Sequence, residues 1–199
     1  MIPVTPAKEP DVFNAEVRQP GQKWLADKGI DASRPPPKAS KLPSYWQKTS
    51  RELWDAYNGV CAYLCIFFEF PLGAHSTEHF VAKSRMAGLA YEWSNYRLSC
   101  LGANRRKNRF DDVLDPFEIE PDTFVLNLAS GEIKPNSDKP PHIQKKAQTT
   151  IERLGLDDPE MNNMRARHYE DFLRDDISAT YLQSHSPFVW YEAQKQGLL

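Results

Sequence analysis

The positions of the prolines constrain the fold of this chain more than any other feature of its sequence. Eight of the sixteen prolines lie in the first 43 residues, and three of them are consecutive, at Pro35, Pro36 and Pro37. Proline lacks a backbone N–H and has a fixed φ, so it interrupts helix interiors and central strands. The sequence therefore predicts an extended proline-rich N-terminal arm over residues 1–43, with at most one helical turn near Trp24 and Leu25.

The remaining residues, 44–199, are predicted to form a single α+β domain, because neither an internal repeat nor a linker divides them. Apolar residues recur there at helical spacing in some segments and alternate in others. The expected elements are a helix over 45–57, a buried strand or hairpin over 60–70, a β-hairpin turning at 130–131, and a mainly helical part over 141–199.

The composition also bears on the compartment. No stretch approaches the roughly 18 consecutive apolar residues that a membrane span needs, so no membrane association is expected. The first residues have neither a basic region nor an apolar region typical of a secretion signal. We therefore expect a cytoplasmic protein.

Three cysteines, Cys61, Cys65 and Cys100, cannot all pair within one chain. Structural zinc usually takes four nitrogen or sulfur ligands, often as two Cys-x-x-Cys pairs. Here the first pair has three intervening residues, and Ala103 stands where a fourth thiol would be. His75 offers an alternative fourth ligand, but apolar packing explains the cysteines equally well, and no structural zinc is expected.

Positive charge is concentrated in one segment. Residues 75–110 contain seven basic and two acidic residues, a formal charge of +5, whereas the whole chain carries −2. The other residues must then carry −7. This pattern is typical either of a solvated helix face or of a nucleic-acid contact, and we expect the latter. The predicted contacts, called the basic set below, are Lys83, Arg85, Arg97, Arg105, Arg106, Lys107 and Arg109.

The same segment contains residues suited to metal-assisted phosphodiester hydrolysis. Glu78 and Asn104 provide oxygen ligands of the kind that Mg²⁺ or Mn²⁺ accepts. His79 titrates near neutrality and suits a general base. Asn104 and Asn108 are four residues apart, so a helix opening near Ala103, after Gly102, would present both amides on one face.

Taken in order, these residues resemble the ββα-metal motif of HNH endonucleases, over about 50 residues, with a motif core at 60–110. The resemblance implies an α+β fold in which a ββα-metal core is embedded in N- and C-terminal helices and a β-hairpin. It implies that Glu78 is the first metal ligand, His79 the catalytic base and Asn104 the second metal ligand. Asn95 corresponds to the central Asn that ties down a loop and helps to aim the histidine. Asn108 occupies the place of a further metal ligand.

The surrounding sequence is similar to HNH proteins of retron and Septu-type bacterial defence systems. The similarity lies in Cys61-Ala62-Tyr63, in the segment 91–95 and in the segment 149–156. It implies a DNA endonuclease that uses one divalent cation in anti-phage defence beside an ATPase partner. Two alternatives remain: a non-catalytic module that binds nucleic acid or a partner protein, and an RNase or tRNase, since phosphate contacts do not distinguish DNA from RNA.

Overall fold

A computed structural model gives the structure of residues 1–108 and 110–199. Over these residues the chain has the predicted α+β character, with seven α-helices and two separate two-stranded antiparallel sheets. No helix in this described part is both long enough and apolar enough to cross a membrane. The elements are α1 (Gln19–Asp27), α2 (Ser50–Ala56), β1 (His75–His79), β2 (Tyr96–Cys100), α3 (Leu101–Lys107), β3 (Phe124–Leu126), β4 (Ile133–Pro135), α4 (Pro141–Leu154), α5 (Pro159–Leu173), α6 (Ala179–His185) and α7 (Pro187–Lys195).

The chain divides into two compact units. The cleft unit comprises residues 6–59 and 69–111, and the hairpin unit comprises residues 1–5, 60–68 and 112–199.

The N-terminal segment in the cleft unit is more ordered than its prolines predict. A helical turn at Asn14–Arg18 runs directly into α1, and Phe13, Val17 and Leu25 are buried. The prediction of an extended arm with one helical turn is therefore wrong over this stretch. Pro20 lies in the first turn of α1, where the missing N–H has no helical partner to lose.

Helix α2 and strands β1 and β2 also belong to the cleft unit and precede α3 in the chain. The helix predicted over residues 45–57 is confirmed as a 3₁₀ turn, Tyr45–Thr49, followed by α2. Strands β1 and β2 are antiparallel, and their register puts Glu78 opposite Arg97. Helix α3 follows β2 without a loop and packs on both strands.

The elements predicted beyond residue 120 are confirmed in the hairpin unit. Strands β3 and β4 pair in antiparallel register. Helix α4 ends at Leu154, and Gly155 takes the left-handed conformation that closes a helix. Arg165 of α5 is buried and donates hydrogen bonds to the carbonyl oxygens of Gly131 (2.8 Å) and Leu156 (2.7 Å). This side chain links the hairpin turn to the end of α4.

Residues 60–68 differ from the strand or hairpin predicted over 60–70. The chain turns back sharply, and a single bridge joins Val60 to Phe67. The N–H of Cys65 donates to the Cys61 carbonyl, and Cys65 has a φ of 53°. The Phe67 N–H donates instead to the carbonyl of His185 in α6. Because these backbone groups are already bonded, a longer ladder does not form.

Candidate active site

Strand β1, helix α3 and the loop after β1 enclose a cleft of 560 Å³, called the main cleft below. The last two residues of β1 are Glu78 and His79, whereas Asn104 lies on α3 and Asn108 directly after it. The structure thus brings the predicted base and the three predicted metal ligands to one cavity. Its lining is formed by Thr77, Glu78, His79, Ala82, Lys83, Ser84, Asn104, Arg105 and Asn108.

The imidazole of His79 is buried and held in one orientation. Its Nε2 lies 3.1 Å from the carbonyl oxygen of Ala90, which can only accept, so Nε2 carries the proton. The hydroxyl of Tyr96 donates to the same carbonyl at 2.7 Å. The rings of Trp46 and Tyr96 contact the imidazole edge-on, at centroid distances of 4.8 and 5.1 Å. Nδ1 is therefore the nitrogen with the lone pair.

The environment of His79 favours its neutral form. Burial lowers the pKa of His79 to about 3, because an imidazolium loses its hydration inside the protein. The positive charges of Lys83 and Lys107 act in the same direction, whereas the bond to Ala90 opposes them. His79 is consequently an uncharged proton acceptor at neutral pH.

Asn95 fixes the loop that follows β1. Its Oδ1 accepts from the N–H of Val81 at 2.8 Å, and its Nδ2 donates to the carbonyls of Val81 and Leu89, each at 3.0 Å. Its own carbonyl accepts from the N–H of Phe80. Asn95 is thus a positioning residue: it holds the loop that contains Ala90, the partner of His79.

Glu78 has an internal counter-ion. Lys107 Nζ lies 2.8 Å from Glu78 Oε1, and the two side chains are 1% and 0% exposed for Glu78 and Lys107 respectively. The same ammonium donates to the Phe80 carbonyl at 2.8 Å. This close pairing offsets the cost of burying the carboxylate, and it occupies one of the two oxygens that could bind a cation.

The side-chain oxygens at the cleft are of the chemical type that a hard divalent cation prefers. Asn104 uses its Nδ2 to donate to Ser76 Oγ, so its Oδ1 is the end suited to a cation. Glu78 provides one carboxylate, and Mg²⁺ commonly binds one or two carboxylates while keeping several waters. Among residues 1–108 and 110–199, no three His, Cys, Asp or Glu side chains cluster as a ligand set. A cation here would therefore depend on amide and water oxygens beside Glu78.

Two members of the basic set do not face solvent. Arg97 is 4% exposed and donates to the carbonyls of Ser94 and Tyr96, and Lys107 is fully buried against Glu78. The prediction that these two side chains contact nucleic acid is therefore wrong. Inside the fold, backbone carbonyls accept hydrogen bonds from Arg97, and the Glu78 carboxylate pairs with Lys107.

Four members of the basic set are exposed. Lys83 and Arg105 line the main cleft itself. Arg85 forms an ion pair with Asp111, and Arg106 lies on the outer side of α3. The seventh member, Arg109, lies outside the described residues.

None of the three cysteines, all of which lie within the described residues, forms a disulfide, and His75 stacks on Phe70 with ring centroids 4.1 Å apart. Cys61 and Cys65 are buried, whereas Cys100 is half-buried. The Cys65 side chain also hydrogen-bonds the buried N-terminal amine of Met1.

Sequence reasoning missed three contributors to the site. Trp46 and Tyr96 fix the ring of His79, and the Ala90 carbonyl sets its tautomer. No motif indicates a backbone carbonyl, and Trp46 is distant in sequence. For Lys107 a signal existed, because it stands four residues after the buried Ala103 and so shares the inner face of α3.

No protein-family model matches this chain, and no curated protein matches it as a relative.

Proposed function

We propose that this chain is a metal-dependent endonuclease of the HNH type, hydrolysing phosphodiester bonds in DNA with one Mg²⁺ or Mn²⁺ ion. In this proposal β1, β2 and α3 form the ββα-metal core. The observation that carries it is the convergence of Glu78, His79 and Asn104 on one cleft, with the imidazole held by the Ala90 carbonyl.

The residues could divide the chemistry as follows. His79 would accept a proton from the attacking water at Nδ1, because Nε2 keeps its own proton. A cation held by Glu78 and Asn104, with Asn108 as an outer ligand, would neutralise charge on the scissile phosphate. Lys83 and Arg105 would attract the phosphate to the cleft. The negative charge of a bound phosphodiester would also raise the pKa of His79 toward the operating pH.

The setting follows from the resemblance to retron and Septu-type HNH proteins. We propose a role in cytoplasmic anti-phage defence, in a complex with an ATPase partner. DNA rather than RNA is the proposed substrate on the same ground.

One observation favours a second candidate, a non-catalytic module that binds nucleic acid or a partner protein. Lys107 already occupies one oxygen of Glu78, the predicted metal ligand. An ammonium and a cation compete for the same carboxylate, and this competition lowers the metal affinity that a catalyst needs.

A cleavage assay separates these candidates. The purified chain is incubated with supercoiled plasmid or with a pool of RNA, in Mg²⁺, Mn²⁺ or EDTA. We expect metal-dependent nicking or linearisation of the plasmid and intact RNA. Cleavage of RNA alone would assign an RNase, and binding of DNA without cleavage in either metal would favour the non-catalytic module.

A matched pair of histidine variants controls for contaminating nucleases. His79→Ala should abolish most of the cleavage, whereas His142→Ala should retain it, because His142 is exposed in α4 outside the main cleft. Equal activity of the two preparations would show that the cleavage does not depend on His79 and would contradict its assignment as the base.

A further inference from the structure

A second, smaller cleft lies beside the main cleft within the cleft unit. Its volume is 330 Å³, at the lower end of the roughly 300–1,000 Å³ typical of ligand pockets. It is lined by Pro36, Ser40, Lys41, Leu42, Ser44, Trp46, Lys83 and Ser84. Half of this lining is contributed by the proline-rich segment, to which the motif assigns no role.

The two clefts share a wall. Lys83 and Ser84 line both of them, and the Lys83 ammonium lies over the Trp46 ring, 4.4 Å from its centroid. Trp46 in turn contacts His79 edge-on. A ligand bound at Lys83 and Ser84 therefore borders both clefts.

The chemistry of the second cleft suits an anion with an apolar part. Among the described residues its lining has two ammonium groups and three hydroxyls but no carboxylate. Lys41 is exposed and, within residues 1–108 and 110–199, makes no ion pair. Pro36 and the small exposed parts of Leu42 and Trp46, which are 9% and 8% exposed, contribute apolar surface to the same lining. Phosphate oxygens complement the first set of groups, and a sugar and base complement the second.

We propose that this second cleft binds the nucleotide adjacent to the scissile phosphate, in a single-stranded stretch of the substrate. Lys83 holds the phosphate shared by the two clefts, Lys41 holds the next phosphate, and the sugar and base rest on the apolar surface. The inference rests on the proposed nuclease function and adds a substrate subsite to it.

The test is oligonucleotide binding by the full chain in a His79→Ala background with Mg²⁺, measured by fluorescence anisotropy on a labelled single-stranded 12-mer. Lys41→Ala should weaken binding about three- to tenfold and reduce the magnitude of the log–log salt slope by about 0.7, the value for one lost single-strand phosphate contact. Ser44→Trp, at an exposed position of the lining, should weaken binding by filling the cleft.

The matched control is Lys38→Ala, which removes the same charge three residues away at an exposed position outside both linings. Its affinity should stay within twofold of the background protein, and thermal melts should confirm that all variants are folded. Unchanged binding by Lys41→Ala and Ser44→Trp, or equal weakening by Lys38→Ala, would overturn the subsite.

Competition with thymidine 5′-monophosphate distinguishes a free nucleotide from one within a strand. If thymidine 5′-monophosphate displaces the 12-mer from the background protein but not from the Ser44→Trp variant, the result supports a site that also accepts the free nucleotide. Failure to displace, together with weakened binding by Lys41→Ala and Ser44→Trp, supports a site that needs the continuous strand, whereas failure to displace with unchanged binding by both variants overturns the subsite. Absence of cleavage by the parent chain would overturn the nuclease proposal, whereas the anisotropy comparison reads out the second cleft independently.

Discussion

At the scale of single residues, the site depends on two neighbours in β1 that meet different partners. Glu78 pairs with the ammonium of Lys107, whereas His79 donates to a backbone carbonyl and stays neutral. A carboxylate and an uncharged imidazole suit different tasks, the first as a cation ligand and the second as a base.

The first prediction concerns this division of labour. His79→Ala should lower the cleavage rate by about 10²–10⁴, the usual contribution of a positioned base, with little change in DNA affinity. Glu78→Ala and Asn104→Ala should instead raise the requirement for Mg²⁺ or Mn²⁺ and recover in part at excess cation. Asn108→Ala should have a milder effect on the metal requirement.

Metal titrations of plasmid cleavage, with a binding assay and a thermal melt for each variant, measure these effects. Parental cleavage by folded His79→Ala would refute the assignment of the base.

The second prediction is a pH dependence of stability that originates at His79. Its pKa is about 3 in the folded chain and near 6.5 when unfolded, so protons bind preferentially to the unfolded chain. The contribution of the neutral imidazole to the free energy of unfolding is fully present above about pH 6.5. It is lost as the pH falls from there toward 3. Urea unfolding between pH 7 and 4 should show a smaller loss in His79→Gln than in the parent. Parallel curves for the two proteins would show that His79 titrates normally in the fold.

At the scale of elements, the periodicity of apolar side chains predicted the regular helices and strands. It did not predict the features that depend on tertiary packing. The spacing of Ile151 and Leu154, with Gly155 after them, was sufficient for α4, and turn chemistry was sufficient for the hairpin. The N-terminal helix was missed because proline content does not reveal that Pro20 falls in a first turn. Residue type and order were sufficient to group Glu78, His79 and Asn104 in one site. They did not predict the burial of Lys107, because that burial depends on the packing of α3.

The third prediction concerns the turn between β3 and β4. A Cβ at Gly131 would lie 1.9 Å from the carbonyl oxygen of Asn162 in α5, and its φ is 71°. Gly131→Ala should therefore lower the free energy of unfolding by about 3 kcal/mol or more, combining left-handed strain with displacement of α5. Chemical denaturation measures the loss.

Gly197 offers a matched control for that substitution. Its φ is 70°, nearly the same, but a Cβ there meets nothing within 4 Å. Gly197→Ala should lose only the strain contribution, about 1 kcal/mol. Equal losses at the two glycines would mean that α5 does not press on the turn.

At the scale of the whole molecule, charge limits how the chain meets nucleic acid. The net charge of −2 gives no long-range attraction, and the structure removes Arg97 and Lys107 from the surface available for contacts. Lys83 and Arg105 remain at the main cleft. Tight binding would need further contacts, which an assembly partner could provide.

The fourth prediction follows from this charge distribution. The isolated chain should bind a 30-base-pair duplex with a Kd on the order of 10⁻⁶ M or weaker at physiological salt, as non-specific contacts do, and more tightly at 50 mM salt. Fluorescence anisotropy at both salt concentrations measures the effect. Sub-nanomolar affinity of the chain alone at physiological salt would contradict it.

The buried pair of Lys107 and Glu78 also determines how charge would accumulate at the main cleft. Because the ammonium already balances the carboxylate, this pair is neutral before any cation binds. A divalent ion would add both of its charges to those of Lys83 and Arg105, and the enlarged positive field would tighten phosphodiester binding. Thermodynamic reciprocity requires the phosphodiester to tighten cation binding by the same factor. Cation and nucleic acid would thus act as mutual effectors, and the free protein's metal affinity would understate the affinity in its substrate complex.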